Sequence, residues 1–124
     1  MGLNQLSSTI RKNNLRKGFE LEDVQIGTQL MLVVSELGEA LEAERKGKHC
    51  PQKTITDIGD DLDCGIFNPV RFENEVKDSF EDEMADSIIR LLDICAFLHI
   101  DIDAHIRAKL KYNTTREYRH GKKF

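Results

Sequence analysis

The sequence predicts an all-α fold, and three features of the chain support that prediction. Apolar residues recur at helical spacing in two long segments, 22–45 and 79–99. No segment alternates apolar and polar residues over the length of a strand. The 124 residues, 40% hydrophobic and 32% charged, are typical of one folded domain with its own core. We therefore expect a single domain over 1–124, built as a bundle of about four helices.

Glycines mark the ends of the first two predicted helices. The first helix covers about 3–14 and is followed by Gly18. The second covers about 22–45 and ends at Gly47, where a C-terminal capping glycine belongs. Residues 47–77 contain both prolines, three glycines and an acidic run. We expect a loop insertion there, with room for a short helical piece.

The third and fourth predicted helices occupy the C-terminal half of the chain. The third covers about 79–99 and opens with Ser79-x-x-Asp82, which resembles a capping box with Asp in place of Glu. The fourth begins near Asp101 or Asp103, because acidic residues are favoured at the first turn of a helix.

Charge is unevenly distributed along the chain. The net charge is −4, yet residues 107–124 hold seven Lys or Arg and one acidic residue. The body is therefore acidic, and about 115–124 forms a basic tail. A nucleic-acid-binding domain is usually basic overall, so we expect no nucleic-acid partner. We find no apolar window of membrane-spanning length and no signal-peptide pattern, and we expect no membrane partner.

The cysteine pattern indicates a reducing compartment. Cys50, Cys64 and Cys95 are odd in number and match no disulfide framework, so we expect reduced thiols in a cytoplasmic protein. His49 together with Cys50 and Cys64 provides only three zinc ligands at an unusual spacing. A zinc site is therefore disfavoured.

Two carboxylates interrupt an apolar face of the second predicted helix. Glu36 and Glu39 lie one turn apart and repel each other by a few tenths of a kcal/mol. Burying either one without a partner would be far more unfavourable. The main core stripe is expected elsewhere on this helix, at Leu30, Val33, Val34, Leu37 and Leu41. We therefore expect either an ion that neutralises the two carboxylates or a face that is open to water.

The third predicted helix carries a second acidic pair, Glu83 and Asp86. The pair shares a sector with Arg90, outside a broad apolar arc, and that sector could simply face solvent. The arc comprises Met84, Ile88, Leu91, Leu92 and Cys95. If the two helices are antiparallel neighbours, the two acidic pairs can face each other. Four convergent carboxylates would then hold a hard divalent cation such as Mg2+, which prefers oxygen ligands.

The segments "LVVSELGEALEAERKGK" and "FEDEMADSIIRLLDICAFLHIDIDAHI" together resemble the MazG-like family of all-α nucleoside triphosphate pyrophosphohydrolases. That family carries E-x-x-E on one helix and E-x-x-D on a later one. The corresponding residues here are Glu36-x-x-Glu39 and Glu83-x-x-Asp86. The ending "KLKYNTTREYRHGKKF" is similar to the C-terminal segment of one subgroup. The resemblance covers most of the chain except 47–77.

The resemblance implies a Mg2+-dependent enzyme, with Mn2+ as a substitute, that cleaves NTP or dNTP to the nucleoside monophosphate and pyrophosphate. The implied metal ligands are Glu36, Glu39, Glu83 and Asp86. Glu39 would also orient the attacking water. The residues that would bind substrate are Lys109, Asn113 and Arg116. Family members generally form homo-oligomers, which implies a homodimer or a homotetramer here.

Two departures from the family pattern leave an alternative open. Ser35 stands where some relatives carry Glu, and the spacer between the two motifs is longer. The alternative is a non-catalytic helical module of the same fold that binds nucleotides or acts as a scaffold. Without the family, Lys109, Asn113 and Arg116 are equally well explained as a solvated helix end. The preferred base and sugar and the number of metal ions stay open.

Overall fold

Every regular element is a helix in the computed structural model, which describes residues 2–20 and 25–116. The helices are α1 (Leu3–Arg16), α2 (Ile26–Arg45), α3 (Gln52–Asp63), α4 (Pro69–Glu75), α5 (Phe80–Phe97) and α6 (Ile102–Thr114). These described ranges contain no strand, so the prediction of an all-α class is confirmed. None of the described helices is long and apolar enough to cross a membrane. The basic tail lies outside the described residues from position 117 onward.

Helices α1, α2, α5 and α6 correspond to the four predicted helices, and their ends follow local signals. α2 ends in a Schellman motif: Gly47 has φ +67°, and the N–H of Lys48 donates at 2.8 Å to a carbonyl in the last turn. α5 begins after Ser79, whose Oγ accepts a 3.2 Å hydrogen bond from the N–H of Asp82. The predicted start of the second helix near Glu22 falls outside the described residues.

The prediction of a loop over 47–77 is wrong for most of that segment, which forms α3 and α4. Both prolines lie at helix N-termini, Pro51 as the residue before α3 and Pro69 as the first residue of α4. Proline is tolerated at the first helical position because an N–H there has no intrahelical acceptor. The side chain of Asn68 caps α4 by accepting from two N–H groups of its first turn. The prolines therefore start helices here instead of breaking them.

A small apolar cluster holds this segment in place. Cys50, Ile58 and Val76 are buried together, and Phe72 packs against them. Since these residues come from α3, α4 and the chain on either side, the cluster connects both short helices to the segment after α2.

The chain divides into two compact units. One comprises α1, α6 and the end of α5 from Leu92 onward, and the other comprises α2, α3, α4 and α5 up to Leu91. In the first unit, the Asp103 side chain accepts hydrogen bonds from the backbone N–H groups of Leu3 at 3.1 Å and Asn4 at 3.0 Å. These bonds satisfy first-turn donors of α1 that would otherwise lack a partner.

The buried face of α2 differs from the predicted one. The exposed members of the predicted core stripe, 46–53% accessible, are Leu30, Val34, Leu37 and Leu41. Of that stripe only Val33 is buried as predicted; the inward face also carries Ala40 and Ala43, and the half-buried Glu36 lies among them. The less apolar face of α2 is therefore the buried one in the single chain.

The same inversion occurs on α5. Glu83 and Ser87 are buried, whereas Met84, Ile88 and Leu91 from the predicted apolar arc are 37–49% exposed. Leu92, also in that arc, is buried as predicted. The sector that could have faced solvent therefore points into the chain. Its burial brings the two acidic motifs together.

Candidate metal centre

Three of the predicted metal ligands converge in the structure. Glu36 and Glu39 project from adjacent turns of α2, and Glu83 projects from the first turn of α5. Each offers a carboxylate oxygen, and these oxygens lie within 4.8 Å of one another. Ligand oxygens lie about 2.0–2.6 Å from Mg2+ or Ca2+, so oxygens at this separation can share one ion. We call Glu36, Glu39 and Glu83 the carboxylate cluster.

Within the carboxylate cluster, exposure to solvent increases from Glu83 through Glu36 to Glu39. Glu83 is 5% exposed, the Glu36 side chain is 14% exposed, and Glu39 is open to solvent. Glu83 Oε2 is buried and has no hydrogen-bond partner among the described residues. Buried polar atoms are nearly always paired, so an unpaired carboxylate oxygen points to a missing partner. A cation that enters from the Glu39 side would supply it.

The cluster carries more negative charge than the chain compensates locally. Arg90 Nε donates a 2.9 Å hydrogen bond to Glu36 Oε1. Burial would raise the pKa of Glu36, but the hydrogen bonds with Arg90, Glu83 and Glu39 lower it. Burial and the neighbouring Glu36 and Glu39 carboxylates raise the pKa of Glu83 to about 8. At neutral pH the metal-free cluster therefore retains a proton on Glu83, which a bound cation would displace.

The donor set of the cluster fits Mg2+. All three groups are carboxylates, and Mg2+ is usually bound by one or two carboxylates while it keeps several waters. Glu36 already pairs with Arg90, which leaves Glu39 and the unpaired oxygen of Glu83 as the donors with the most free capacity. A hard cation with an incomplete protein shell matches this arrangement.

Asp86, the fourth predicted ligand, lies outside this group of three within the described chain. Burial and the charges of Asp82 and Glu36 raise the pKa of Asp86. The negative charge of the cluster therefore affects the pKa of Asp86, although Asp86 is not one of the three grouped carboxylates. Its role as a metal ligand stays a prediction.

A second acidic group shares Glu83 with the first. Asp78, Asp82 and Glu83 each offer an oxygen within 4.8 Å of the others. Both aspartates, however, help to start α5: Asp82 Oδ2 accepts a 2.9 Å hydrogen bond from the N–H of Asp78, and the N–H of Asp82 donates to Ser79 Oγ. Negative charge is favoured at a helix N-terminus. Capping therefore accounts for the Asp82 carboxylate, and Asp78 Oδ2 lies 3.8 Å from Lys77 Nζ.

A pocket of about 360 Å³ opens beside the carboxylate cluster. Its acidic lining includes Glu39, Glu83 and Asp78, and its basic lining is Lys46 and Lys48. The same cavity therefore presents groups that suit a cation and groups that suit an anion.

The residues considered for zinc have other contacts. The two ring nitrogens of His49 lie 2.6 Å from Glu44 Oε2 and 2.8 Å from Glu81 Oε1. Of the groups of three possible metal ligands in the described ranges, neither contains a cysteine. His49 thus acts in an ion-pair cluster at the end of α2.

The predicted substrate-binding residues lie on and just after α6, in the unit that this helix forms with α1. Lys109 Nζ is 5.0 Å and Arg116 Cζ is 5.6 Å from the centre of the Tyr112 ring. Asn113 Oδ1 is buried and has no hydrogen-bond partner in the described part of the chain. The carboxylate cluster belongs to the other unit, and contact of these three residues with substrate stays a prediction.

The sequence analysis placed Arg90 in one sector with Glu83 and Asp86 but did not predict its pairing with Glu36, and it missed the lysines of the pocket. Arg90 follows Glu83 by seven residues, and Lys46 follows Glu39 by seven, so each pair shares a helix face. That spacing could have identified both cations. Lys48 carries no such signal, because its position depends on the turn of the chain after α2.

Comparisons of the chain with family models, with curated proteins and with solved structures found no match. The resemblance to the MazG-like family therefore depends on the motifs quoted above, and the function has to be argued from the site.

Proposed function

We propose that this chain is a Mg2+-dependent nucleoside triphosphate pyrophosphohydrolase of the MazG-like type, which converts NTP or dNTP to the monophosphate and pyrophosphate. The observation that carries the proposal is the convergence of Glu36, Glu39 and Glu83 on one another from two separate helices. The motif resemblance supplies the expected reaction. The geometry supplies an oxygen donor set beside a pocket that also contains cationic side chains.

Each residue of the cluster has a distinct part in the proposed reaction. Mg2+, when bound, supplies charge neutralisation for the triphosphate and lowers the pKa of an attacking water. Glu83 is the buried anchor, and Arg90 holds the half-buried Glu36 carboxylate in position. Glu39 lies at the exposed edge where substrate arrives, so it orients the water and accepts its proton. The water attacks phosphorus at the α–β bridge, and pyrophosphate leaves.

Two observations favour the alternative, a non-catalytic nucleotide-binding module of the same fold. Asp86 is not part of the carboxylate cluster, and position 35 is Ser, so the metal shell and the base have fewer carboxylates than the family pattern provides. A module of this kind would bind the nucleotide with a divalent cation but would not hydrolyse it.

We infer that the chain assembles as a homodimer or a homotetramer. Apolar side chains on α2 and α5, including Leu37, Leu41 and Ile88, are 46–51% exposed in the single chain. An exposed apolar face of this kind is typical of a surface that another subunit covers. Leu37→Glu should reduce the mass measured by light scattering, and the control Leu62→Glu, at a 55% exposed position on α3, should leave it unchanged. A monomeric wild-type chain would contradict this inference.

We place the reaction in the cytoplasm and expect no nucleic-acid partner. Cys50, Cys64 and Cys95 are all free thiols, which persist in a reducing compartment. The net charge of −4 disfavours binding to a polyanion.

The proposal is tested by incubating the protein with Mg2+, and separately with Mn2+, and a panel of NTPs and dNTPs, and then separating the products. Monophosphate plus pyrophosphate, lost in Glu39→Gln and retained in the exposed control Glu73→Gln, would support the reaction and the role of Glu39. Diphosphate plus orthophosphate would contradict attack at the α–β bridge. Binding of nucleotide without any turnover would favour the non-catalytic module.

A further inference from the structure

We propose that Lys46 and Lys48 form the binding site for the phosphates that leave as pyrophosphate. This inference goes beyond the predicted substrate residues on α6 and is conditional on the proposed function. It follows from the pocket that contains both lysines together with Glu39 and Glu83.

The pocket face of α2 changes its charge along the helix. Glu39, Glu42, Ala43 and Lys46 recur at three- and four-residue intervals and therefore share one face. At about 1.5 Å of rise per residue, Lys46 lies roughly 10 Å along the axis from Glu39. A phosphate chain whose α–β bridge lies beside Glu39 can therefore extend along this face towards Lys46.

The backbone holds Lys48 at the same pocket. The turn at Gly47 redirects the chain after α2, and the N–H of Lys48 donates at 2.8 Å to the carbonyl of Ala43. The carbonyl of Lys48 in turn accepts a 2.9 Å hydrogen bond from the N–H of Phe80 at the start of α5. Lys48 is thus fixed between the two helices that carry the carboxylate cluster, which makes its position reproducible despite its long side chain.

The lysines are available to bind an anion. Lys46 Nζ lies 3.5 Å from Glu42 Oε1, and both side chains are more than half exposed, 69% and 54%. Such surface ion pairs contribute little free energy, so a phosphate can replace the Glu42 carboxylate at small cost. Lys acts at phosphates as a point charge that donates up to three hydrogen bonds. Charge from Lys46 and Lys48 would stabilise the leaving pyrophosphate as negative charge develops on it.

Substrate selection by phosphate-chain length follows from this placement. A triphosphate reaches both the carboxylate cluster and the lysines, whereas a diphosphate presents only one phosphate beyond the α–β bridge. The enzyme should therefore prefer triphosphates to diphosphates, and this preference should depend on Lys46 and Lys48.

The experiment uses the full chain with Lys46→Gln and Lys48→Gln, singly and combined, with Lys46→Arg as the charge-retaining variant. Lys53→Gln on α3 is the matched control, since Lys53 pairs with Asp57 outside the pocket. Calorimetry measures binding of a non-hydrolysable α,β-methylene NTP with Mg2+, and steady-state assays measure kcat and KM for NTP and NDP. Unchanged thermal unfolding establishes that the variants are folded.

We expect each Gln substitution to weaken analogue binding and to raise KM for the triphosphate by roughly tenfold, the effect of one lost charge-assisted hydrogen bond. The double variant should lose most of the preference for triphosphate over diphosphate, and Lys46→Arg and Lys53→Gln should behave like wild type. If the double variant still releases pyrophosphate, with the same KM and the same preference for triphosphate over diphosphate as wild type, this inference is overturned. The proposed function would then remain intact. Lysine-dependent binding of the analogue without turnover would support the phosphate site and refute the hydrolase.

Discussion

Glu83 and Asp93 are two buried carboxylates on α5 with opposite surroundings. Their residues are 5% and 7% exposed, and each has one oxygen without a partner among the described residues, Glu83 Oε2 and Asp93 Oδ1. Asp93 lies 3.6 Å from Arg11 Nη1 and accepts a 3.0 Å hydrogen bond from Asn14 Nδ2. Glu83 is surrounded instead by further carboxylates.

Burial is alike for the two residues, so it does not distinguish a structural carboxylate from a candidate metal ligand. The sign of the neighbouring charges does. The charge of Asp93 is compensated within the chain, and the side chain connects α1 to the end of α5. Glu83 has no counter-charge in the chain that the structure describes, so it retains a proton at neutral pH, and a cation from outside the chain would stabilise its ionised form. Helix α5 therefore carries Asp93, which forms an internal ion pair in one unit, and Glu83, which belongs to an acidic site in the other unit.

The largest expected effect comes from Glu83→Gln. Loss of a ligand carboxylate should reduce turnover by at least about 100-fold, the upper range for losing even an outer-shell partner of a metal. Because the pKa of Glu83 is raised to about 8, wild type takes up a proton at this residue when it folds at neutral pH, which costs stability. Gln removes that cost, and its amide can donate to Glu36 or Glu39. We therefore expect the metal-free variant to unfold at a higher temperature than wild type and to lose the stabilisation by added Mg2+.

The paired measurements are thermal unfolding with and without Mg2+ and the product assay described above. Glu73→Gln, at an exposed position on α4, controls for the removal of one negative charge. A Glu83→Gln variant that is less stable without metal would show that this carboxylate is structural, as Asp93 is.

Asp93→Asn should have the opposite effects: it should lower stability and leave turnover unchanged. It removes the charge that pairs with Arg11, and both side chains are mostly buried, 10% and 15% exposed. We expect a loss of about 1–3 kcal/mol in the free energy of unfolding, the usual range for a hydrogen bond to a charged group, with turnover unchanged. Urea unfolding measures the loss, and Asp60→Asn on the exposed side of α3 is the control. Loss of turnover in a folded Asp93→Asn protein would break the comparison.

The sequence predicted the helix ends and the acidic motifs well because both depend on local signals. Gly47 and Ser79 act within one turn of the chain, and Glu36 and Glu83 were identified by their spacing. It did not predict which faces are buried, because the more apolar stripe that includes Leu37 was assigned to the core. That assignment depends on which helix packs against which, and this is decided by residues far apart in the sequence. It is not encoded within one helix.

Arg90→Gln would make Glu36 resemble Glu83. Arg90 supplies to Glu36 the counter-charge that Arg11 supplies to Asp93, at 2.9 Å. Because the Arg90 side chain is 36% exposed, solvent screens part of the interaction, and we expect the free energy of unfolding of the metal-free protein to fall by about 1 kcal/mol.

Added Mg2+ should stabilise the Arg90→Gln variant more than wild type, because the ion then relieves more repulsion among the carboxylates. Thermal shifts with Mg2+ test this, with Arg71→Gln, which breaks an exposed pair with Glu75, as control.

The smallest expected effect is a pH dependence of stability that comes from His49. This residue is the counter-charge of Glu81, which lies on α5 like Glu83 and Asp93. The hydrogen bond with Glu81 raises the pKa of His49, burial opposes this, and the charges of Glu81 and Glu44 raise it further. The protonated form is therefore favoured by folding. Its contribution to stability is complete below the unfolded pKa of about 6.5 and is lost as pH rises through the higher folded pKa.

Wild type should consequently lose thermal stability relative to His49→Gln as pH rises through that window. His105→Gln, the same replacement at an exposed position on α6, should keep the wild-type dependence. Because the His49 side chain is 45% exposed, salt should weaken the effect. Parallel wild-type and His49→Gln curves across the window would show that Glu81 does not depend on the charge of His49. The N–H of Cys50, which donates at 3.2 Å to Glu81, would then be the contact that holds this exposed carboxylate in place.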